Sequence, residues 1–193
     1  QFRSNKTYSN DSLFDQELSV QYVKSELTKN NLELESEKIL IEYIKKTGLY
    51  LIITPFDSDS LERALTFKPD ALKVASADFN NYPLLEKISL TNLPVIVSTG
   101  MSYESELIKL SVWCKKNFKN YAFLHCNSTY PTPLEDVNLS YIKRLNSIFE
   151  CVIGYSSHDF DYLVPVTSVC YGAKIIETHI TENKNEEEWL KTL

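Results

Sequence analysis

Two histidines each follow an apolar run, and their placement suggests metal chemistry. His158 comes after CVIGYSS, and His179 comes after AKIIET, 21 positions further on. If the two runs are neighbouring parallel strands, their backbones lie about 4.8 Å apart. Imidazoles at equivalent heights could then share one ion, with N–metal bonds of about 2.0–2.2 Å. With water and oxygen ligands, such a pair suits Mn²⁺ or another first-row divalent ion, whereas the alternative for each is a core histidine bonded to backbone.

A lysine inside an apolar run is the second unusual feature. Lys73 lies between Leu72 and Val74 in ALKVAS. It either points into a site and binds an anion, or it snorkels or pairs with a structural acid. Hydroxyl groups at the ends of apolar runs, with one lysine, suit phosphate or carboxylate oxygens. These hydroxyls belong to Thr54, Ser76, Ser98, Ser128 and Ser156. The third histidine, His125, lies inside an apolar run, which favours a structural role.

Six apolar runs must position these side chains. They are residues 49–54, 71–76, 94–99, 121–126, 151–156 and 173–178. Their near-continuous hydrophobicity is typical of parallel strands covered on both faces. Helical patterns lie between them, and a strand–helix unit that repeats along the chain predicts a βα array. The carboxyl ends of the strands are then the expected ligand site.

The array predicts an α/β fold with about six βα units. A complete (β/α)₈ TIM-type barrel takes eight units and about 250 residues. The sequence therefore indicates either an open sheet or an incomplete (β/α)₈ barrel. No G-x-G-x-x-G motif follows a strand, which argues against a Rossmann domain.

We predict one domain over residues 1–193. Residues 1–35 are polar and read as a long loop with a lead-in helix at about 12–27, and residues 36–181 hold the βα array. Residues 182–193 form a divergent tail. No linker or low-complexity break divides the chain.

Composition excludes several classes of function. Hydrophobic residues make up 43% of the chain and charged residues 24%, with a net charge of -6 and scattered basic residues. We therefore expect no nucleic-acid surface, and no apolar run reaches the roughly 20 residues that span a bilayer. The first residues lack the apolar core of a signal peptide. The four cysteines form no C-x-x-C pair, which favours buried free thiols and a cytoplasmic location.

Several motifs together resemble the sialic acid synthase family, which includes N-acetylneuraminate, legionaminate and pseudaminate synthases. The matching stretches are TPFD (54–57), LKVASADFNNYPLLEKI (72–88), PVIVSTGMS (94–102), LHCNSTYPTPLEDVNL (124–139), GYSSH (154–158) and GAKIIETHIT (172–181). The resemblance implies a (β/α)₈ barrel, usually followed by a small antifreeze-like domain. It also implies condensation of phosphoenolpyruvate with an N-acetylated hexosamine and water, releasing phosphate.

The resemblance assigns roles to individual residues. His158 and His179 resemble the ligands of a divalent metal, Mn²⁺ or Mg²⁺. Tyr130 and Asp78 match catalytic positions that face the sugar or the reacting centre. The residues that match the phosphoenolpyruvate-binding positions are Thr54, Lys73, Ser76, Ser98, Ser128 and Ser156. The implied partners are the two substrates and a second copy of the chain as a homodimer.

The chain also departs from the family pattern. The family's first strand, with its catalytic acid, and the lysine ending its second strand have no counterpart here, nor has the antifreeze-like domain. Ser157 stands where the family usually has Asp, and Thr178 where it usually has Lys. Two alternatives therefore stay open. One is a catalytically inactive remnant or module that binds metal or phosphosugar, and the other is a barrel lyase or aldolase in which Lys73 forms a Schiff base.

Overall fold

A computed structural model describes residues 32–180 of the chain. These residues divide into two compact units, the first ending at Asp70 and the second beginning at Ala71. The predicted lead-in helix at about 12–27 and the tail at 182–193 lie outside the described residues. The prediction that the whole chain is one domain stays a prediction.

Helices and strands alternate along the described chain, as the sequence predicts. The helices are α1 (Leu34–Lys46), α2 (Ser58–Thr66), α3 (Tyr82–Ser89), α4 (Glu104–Asn117), α5 (Ser140–Ile148) and α6 (Leu163–Cys170). The strands are β1 (Ile52–Ile53), β2 (Ala71–Val74), β3 (Val95–Ser98), β4 (Tyr121–His125), β5 (Val152–Ser157) and β6 (Ile176–Thr178). Short 3-10 turns cover Ser76–Asp78 and Leu134–Asp136. Each strand overlaps one of the six apolar runs, and every strand except β5 is shorter than its run.

The first unit holds α1, β1 and α2 around a small apolar core. Asp57 caps α2 by accepting a hydrogen bond from the Ser60 backbone N–H at 2.7 Å, which satisfies a donor that the helix leaves unpaired. The buried core side chains are Ile41, Leu51, Ile53 and Ala64. Thr54, one of the predicted phosphoenolpyruvate-binding residues, directly follows β1 and is half-buried.

The second unit is a parallel sheet with the strand order β2-β3-β4-β5-β6. Strands β2 to β5 are short and mostly buried, as expected where helices cover a parallel sheet, whereas β6 is largely exposed. Leu72, Phe123 and Ile153 are completely buried in successive parts of this sheet. Parallel pairing brings the carboxyl ends of the strands to one edge of the sheet.

The register between β5 and β6 places the two histidines side by side. Tyr155 pairs with Ile176, Ser156 with Glu177 and Ser157 with Thr178. Each pair is offset by 21 positions, which is also the separation of His158 and His179. The two histidines therefore occupy the next equivalent positions beyond the paired residues, as the sequence predicts.

Gly154 in β5 marks a close approach between neighbouring backbones. A Cβ atom on Gly154 would lie 2.5 Å from the Leu124 side chain and 2.5 Å from the Ile175 carbonyl oxygen. The second contact is with backbone, which cannot rotate away. Only glycine fits at this position without a shift of the strands.

Gly154→Ala is expected to destabilise the protein without touching the polar residues at the strand ends. Overpacking of this kind costs about 2 kcal/mol in the free energy of unfolding. Urea denaturation followed by circular dichroism measures this change. A loss below about 0.5 kcal/mol would show that the strands can separate more freely than the close contacts indicate.

Two composition-based expectations can be compared with the structure. None of the helices within residues 32–180 has the length and apolarity needed to cross a membrane. All four cysteines are free thiols: Cys114 and Cys126 are buried, Cys151 is half-buried and Cys170 is exposed. The expectation of buried thiols is thus correct for two of them and wrong for Cys170, which lies at the exposed end of α6.

Candidate functional site

Lys73 is a buried cation near the edge where the strands of the second unit end. Only 7% of the residue is exposed, and its Nζ donates a hydrogen bond of 2.6 Å to Ser98 Oγ. The Glu177 carboxylate lies 3.5 Å away and forms an ion pair with it. A buried ammonium needs such partners, since burying an unpaired charge is very costly. Lys73 therefore does pair with an acid, yet that acid lies at the strand ends rather than deep in the core.

Glu177 connects Lys73 to Ser156 on β5, although no role for it was predicted from the sequence. Ser156, its register partner on β5, donates a hydrogen bond of 2.7 Å from Oγ to Glu177 Oε1. The same carboxylate oxygen thus joins Ser156 to Lys73. Strand alternation could have revealed it, because Glu177 and His179 are two positions apart and point to the same face.

His158 is held in one tautomer by a backbone carbonyl. Its Nδ1 is hydrogen-bonded to the Asn127 carbonyl oxygen, which can only accept, so Nδ1 carries the proton. In a neutral ring, Nε2 is then the atom with the free lone pair. Burial lowers the pKa of His158, which favours this neutral form near neutral pH. A carbonyl that orients the other ring nitrogen is typical of metal-ligating histidines.

Two hydroxyls approach Nε2 of His158. The Tyr130 hydroxyl lies 2.8 Å from it, and Ser156 Oγ lies 3.3 Å from it. The Tyr130 ring also stacks on His158, with centroids 3.9 Å apart. Burial raises the pKa of Tyr130, so its hydroxyl is protonated and donates. Tyr130, Ser156 and His158 are therefore brought together, while their roles stay predictions.

The two histidines are spaced as ligands of a single ion would be. The ring centroids of His158 and His179 are 5.7 Å apart, with 50° between the ring planes. Two imidazoles sharing a tetrahedral ion at about 2.1 Å have ring centres roughly 5 Å apart. Among residues 32–180, no group of three or more histidine, cysteine or acidic side chains is arranged to hold a metal. An ion here would take two protein nitrogens and complete its coordination with water or substrate oxygens, which suits Mn²⁺ or another first-row divalent ion.

A second group of polar atoms surrounds Gly100, just after β3. The Gly100 backbone N–H donates to Ser76 Oγ at 3.1 Å, and Ser76 Oγ also lies 3.2 Å from Cys126 Sγ. A Cβ atom at position 100 would lie 2.6 Å from Ser128 Oγ. Ser76 and Ser128 are thus close to one another around a glycine. The two hydroxyls are donors that phosphate oxygens can accept from.

Asp78 is the second predicted catalytic residue. The Asp78 carboxylate accepts a hydrogen bond of 3.1 Å from Asn81 Nδ2, at the entrance to α3. This contact is local and lies beside the start of α3. Thr54 belongs to the first unit and is described there. The roles of both residues stay predictions.

His125 has the structural role that its position inside a strand favours. Its Nε2 is hydrogen-bonded to the Val137 carbonyl at 2.9 Å, and its ring contacts the rings of Tyr141 and Tyr155. Burial lowers the pKa of His125, which keeps it neutral. It therefore offers a comparison for the two histidines at the strand ends.

Comparisons with known proteins identify relatives over most of the chain. The sequence profile of the NeuB family matches residues 1–189. An uncharacterized protein of Methanocaldococcus jannaschii is 46% identical over 160 residues, which are 81% of this chain and 48% of that protein. The N,N'-diacetyllegionaminic acid synthase of Campylobacter jejuni is 36% identical over 160 residues, with the same coverage of 81% and 48%. The chain thus spans about half the length of the curated relatives it matches.

A solved structure extends the likeness to the fold. The N-acetylneuraminic acid synthetase of Leptospira borgpetersenii, solved with citrate, superposes with a TM-score of 0.82 at 31% identity. The match covers 94% of this chain and 61% of that chain. This likeness confirms the predicted fold class, an incomplete barrel of the (β/α)₈ type.

Proposed function

Because this chain belongs to the NeuB family, we propose that it acts in phosphoenolpyruvate-dependent synthesis of a nonulosonate sugar acid. The proposed reaction joins phosphoenolpyruvate, water and an N-acetylated hexosamine of the N-acetylmannosamine type. The products are a nine-carbon keto acid and phosphate. Relatives whose names state this kind of activity include the legionaminic acid synthase of Campylobacter jejuni.

One observation carries the proposal: a connected line of polar side chains links an anion site to the histidine pair. Lys73 contacts Ser98 and Glu177, Glu177 accepts from Ser156, and Ser156 lies beside His158. The cation can bind a carboxylate or phosphate of phosphoenolpyruvate. The histidines can hold a divalent ion that binds the sugar. The two substrates would then meet in one site.

The bond changes follow from the substrates. The enol carbon C3 of phosphoenolpyruvate bonds to the aldehyde carbon of the open-chain sugar, whose oxygen takes up a proton. Water adds to C2 and gives up a proton. The bond between C2 and the bridging oxygen then breaks, the C2 hydroxyl becomes the keto group, and its proton leaves with the phosphate. A bound Mn²⁺ or Mg²⁺ would supply Lewis-acid polarisation of the aldehyde.

The chain's own residues would bind and orient these groups. Lys73, Ser98 and Ser156 would hold one anionic end of phosphoenolpyruvate. The Ser76 and Ser128 hydroxyls would donate to phosphate oxygens, with Ser76 Oγ held in place by the Gly100 N–H. The Tyr130 hydroxyl, held beside His158, would contact the sugar at the reacting centre, where Asp78 is the second predicted catalytic residue.

Release of inorganic phosphate tests the proposal directly. The chain is incubated with phosphoenolpyruvate, N-acetylmannosamine and Mn²⁺, and phosphate is measured with and without the sugar. We expect release that requires the sugar and stops when EDTA removes the metal. No release from a folded chain that binds Mn²⁺ would instead support the alternative of a binding module without turnover.

A further measurement distinguishes the lyase or aldolase alternative from the proposed synthase reaction. Borohydride reduction would trap a covalent adduct if Lys73 formed a Schiff base with a keto acid, and mass spectrometry would locate it. The proposed reaction forms no such adduct. The cytoplasmic location and the homodimer stay predictions.

A further inference from the structure

A carboxylate on the far side of β5 binds two buried hydroxyls. Asp159 Oδ2 accepts a hydrogen bond of 2.9 Å from the Tyr155 hydroxyl and one of 3.0 Å from Ser157 Oγ. Tyr155 is 2% exposed and Ser157 is 4% exposed, so water is a poor substitute partner for either. The carboxylate follows His158 by one residue.

These contacts lie on the opposite face of the strand from the candidate site. Side chains alternate along a strand, so Tyr155 and Ser157 share one face while Ser156 and His158 share the other. The 3.3 Å distance from Ser156 Oγ to His158 Nε2 agrees with this alternation. Asp159 therefore links Tyr155 and Ser157 on one face of the strand, which we call the rear face, while Ser156 and His158 lie on the opposite face.

Only one oxygen of the Asp159 carboxylate, Oδ2, accepts these hydrogen bonds. Asp159 Oδ1 is buried and has no hydrogen-bond partner among residues 32–180. A buried, unpaired acceptor is unfavourable and is rare unless something else requires its position. Burial and the nearby carboxylate raise the pKa of Tyr155, so the phenol is protonated and donates to Oδ2.

We propose that Asp159 is a positioning residue for His158. By binding Tyr155 and Ser157 on the rear face, it fixes the end of β5 so that His158 keeps its contact with the Asn127 carbonyl. The expected effect on metal binding rests on the proposed function, whereas the local geometry does not. Ser157 stands where the resembled family usually has Asp, and here a carboxylate two positions later binds the Ser157 hydroxyl.

Asp159→Ala is expected to loosen His158. Without the carboxylate, Tyr155 and Ser157 lose their shared acceptor, and the strand end can move. Mutation of a group that contacts a metal ligand directly lowers metal affinity by about 10–100-fold. Asp159 acts one step further away, so we expect Mn²⁺ affinity to fall less, by about 5-fold to 10-fold.

Two measurements distinguish positioning from general stability. Mn²⁺ affinity is measured by electron paramagnetic resonance titration of the full chain. The His158 Nδ1–H proton is followed by NMR without metal, and Asp159→Ala is expected to speed its exchange with water. Neither measurement requires turnover, so a chain that fails to release phosphate can still confirm or overturn the positioning role.

Asp159→Asn is the conservative variant. Its amide oxygen can accept from both hydroxyls, and its NH₂ group can occupy the place of Oδ1. Because Oδ1 has no hydrogen-bond partner among the described residues, this exchange removes no hydrogen bond. We expect Asp159→Asn to keep Mn²⁺ affinity and Nδ1–H protection within about 2-fold of the unmodified chain, since the acceptor is retained. An Asn variant as impaired as the Ala variant would overturn the proposal that hydroxyl binding is what matters.

Ser168→Ala is the matched control for stability. Ser168 is completely buried in α6, and its hydroxyl donates to the Pro165 carbonyl at 2.6 Å. Its loss should lower stability to urea and leave His158 unchanged. If Asp159→Ala likewise lowers only the resistance to urea, with Nδ1–H exchange and Mn²⁺ affinity unchanged, the positioning role is wrong.

Discussion

Replacing His158 and His179 together by alanine is expected to abolish sugar-dependent phosphate release. The double variant loses both imidazoles whose rings lie 5.7 Å apart at the ends of β5 and β6. Because residues 32–180 contain no group of three or more metal-binding side chains that could take over, Mn²⁺ would lose its proposed protein ligands. Loss of Lewis-acid polarisation removes several kcal/mol of transition-state stabilisation, so the rate should fall at least about 1,000-fold. The measurement is phosphate release at saturating phosphoenolpyruvate, together with Mn²⁺ binding.

His125→Gln provides the histidine control. His125 bonds the Val137 carbonyl from inside β4, and the amide nitrogen of glutamine can donate to the same oxygen. This variant should lose some stability and keep Mn²⁺ affinity. If it lost metal binding as fully as the double variant, the assignment of the site to the strand-end pair would fail. Full activity of the double variant would show that the reaction does not depend on the histidines.

Lys73→Met is expected to weaken phosphoenolpyruvate binding about 100-fold. The lysine is the buried cation of the site, and a hydrogen bond to a charged group contributes roughly 1.5–3 kcal/mol. Removing it also leaves the Glu177 carboxylate, 3.5 Å away, to repel an anionic ligand. Isothermal titration calorimetry with phosphoenolpyruvate measures the change.

The same substitution should leave the fold intact. Methionine matches the aliphatic part of lysine, and the Glu177 side chain is 41% exposed, so its charge keeps access to water after the partner is lost. Lys115→Met is the matched control, because Lys115 pairs with Glu150 while both side chains are largely exposed. Exposed pairs contribute little, and this variant should bind phosphoenolpyruvate as before. Equal losses in the two variants would contradict a specific anion site at Lys73.

The sequence by itself determined the fold class, the family and the positions of the strand ends. Apolar runs at regular intervals predict buried parallel strands, because hydrophobic periodicity is a local property that the chain carries everywhere. The separation of His158 from His179 equals the strand offset in the sheet, so their juxtaposition was predictable as soon as neighbouring parallel strands were assumed. Lys73 was recognisable because a charge is costly to bury, so a lysine inside an apolar run indicates a partner or a binding site.

The tertiary structure alone decided which partners those residues have. Glu177 joins Ser156 to Lys73, the Asn127 carbonyl fixes the tautomer of His158, Asp78 bonds Asn81, and Asp159 binds the rear of β5. The contacts of Glu177 and Asn127 cross between segments far apart in the chain, and they depend on strand register and side-chain direction. Composition and spacing do not encode these directly, since a hydrogen bond requires donor and acceptor to meet within about 3 Å in three dimensions. The residue types thus specified what chemistry was available, and the packing of the strands decided which groups could perform it together.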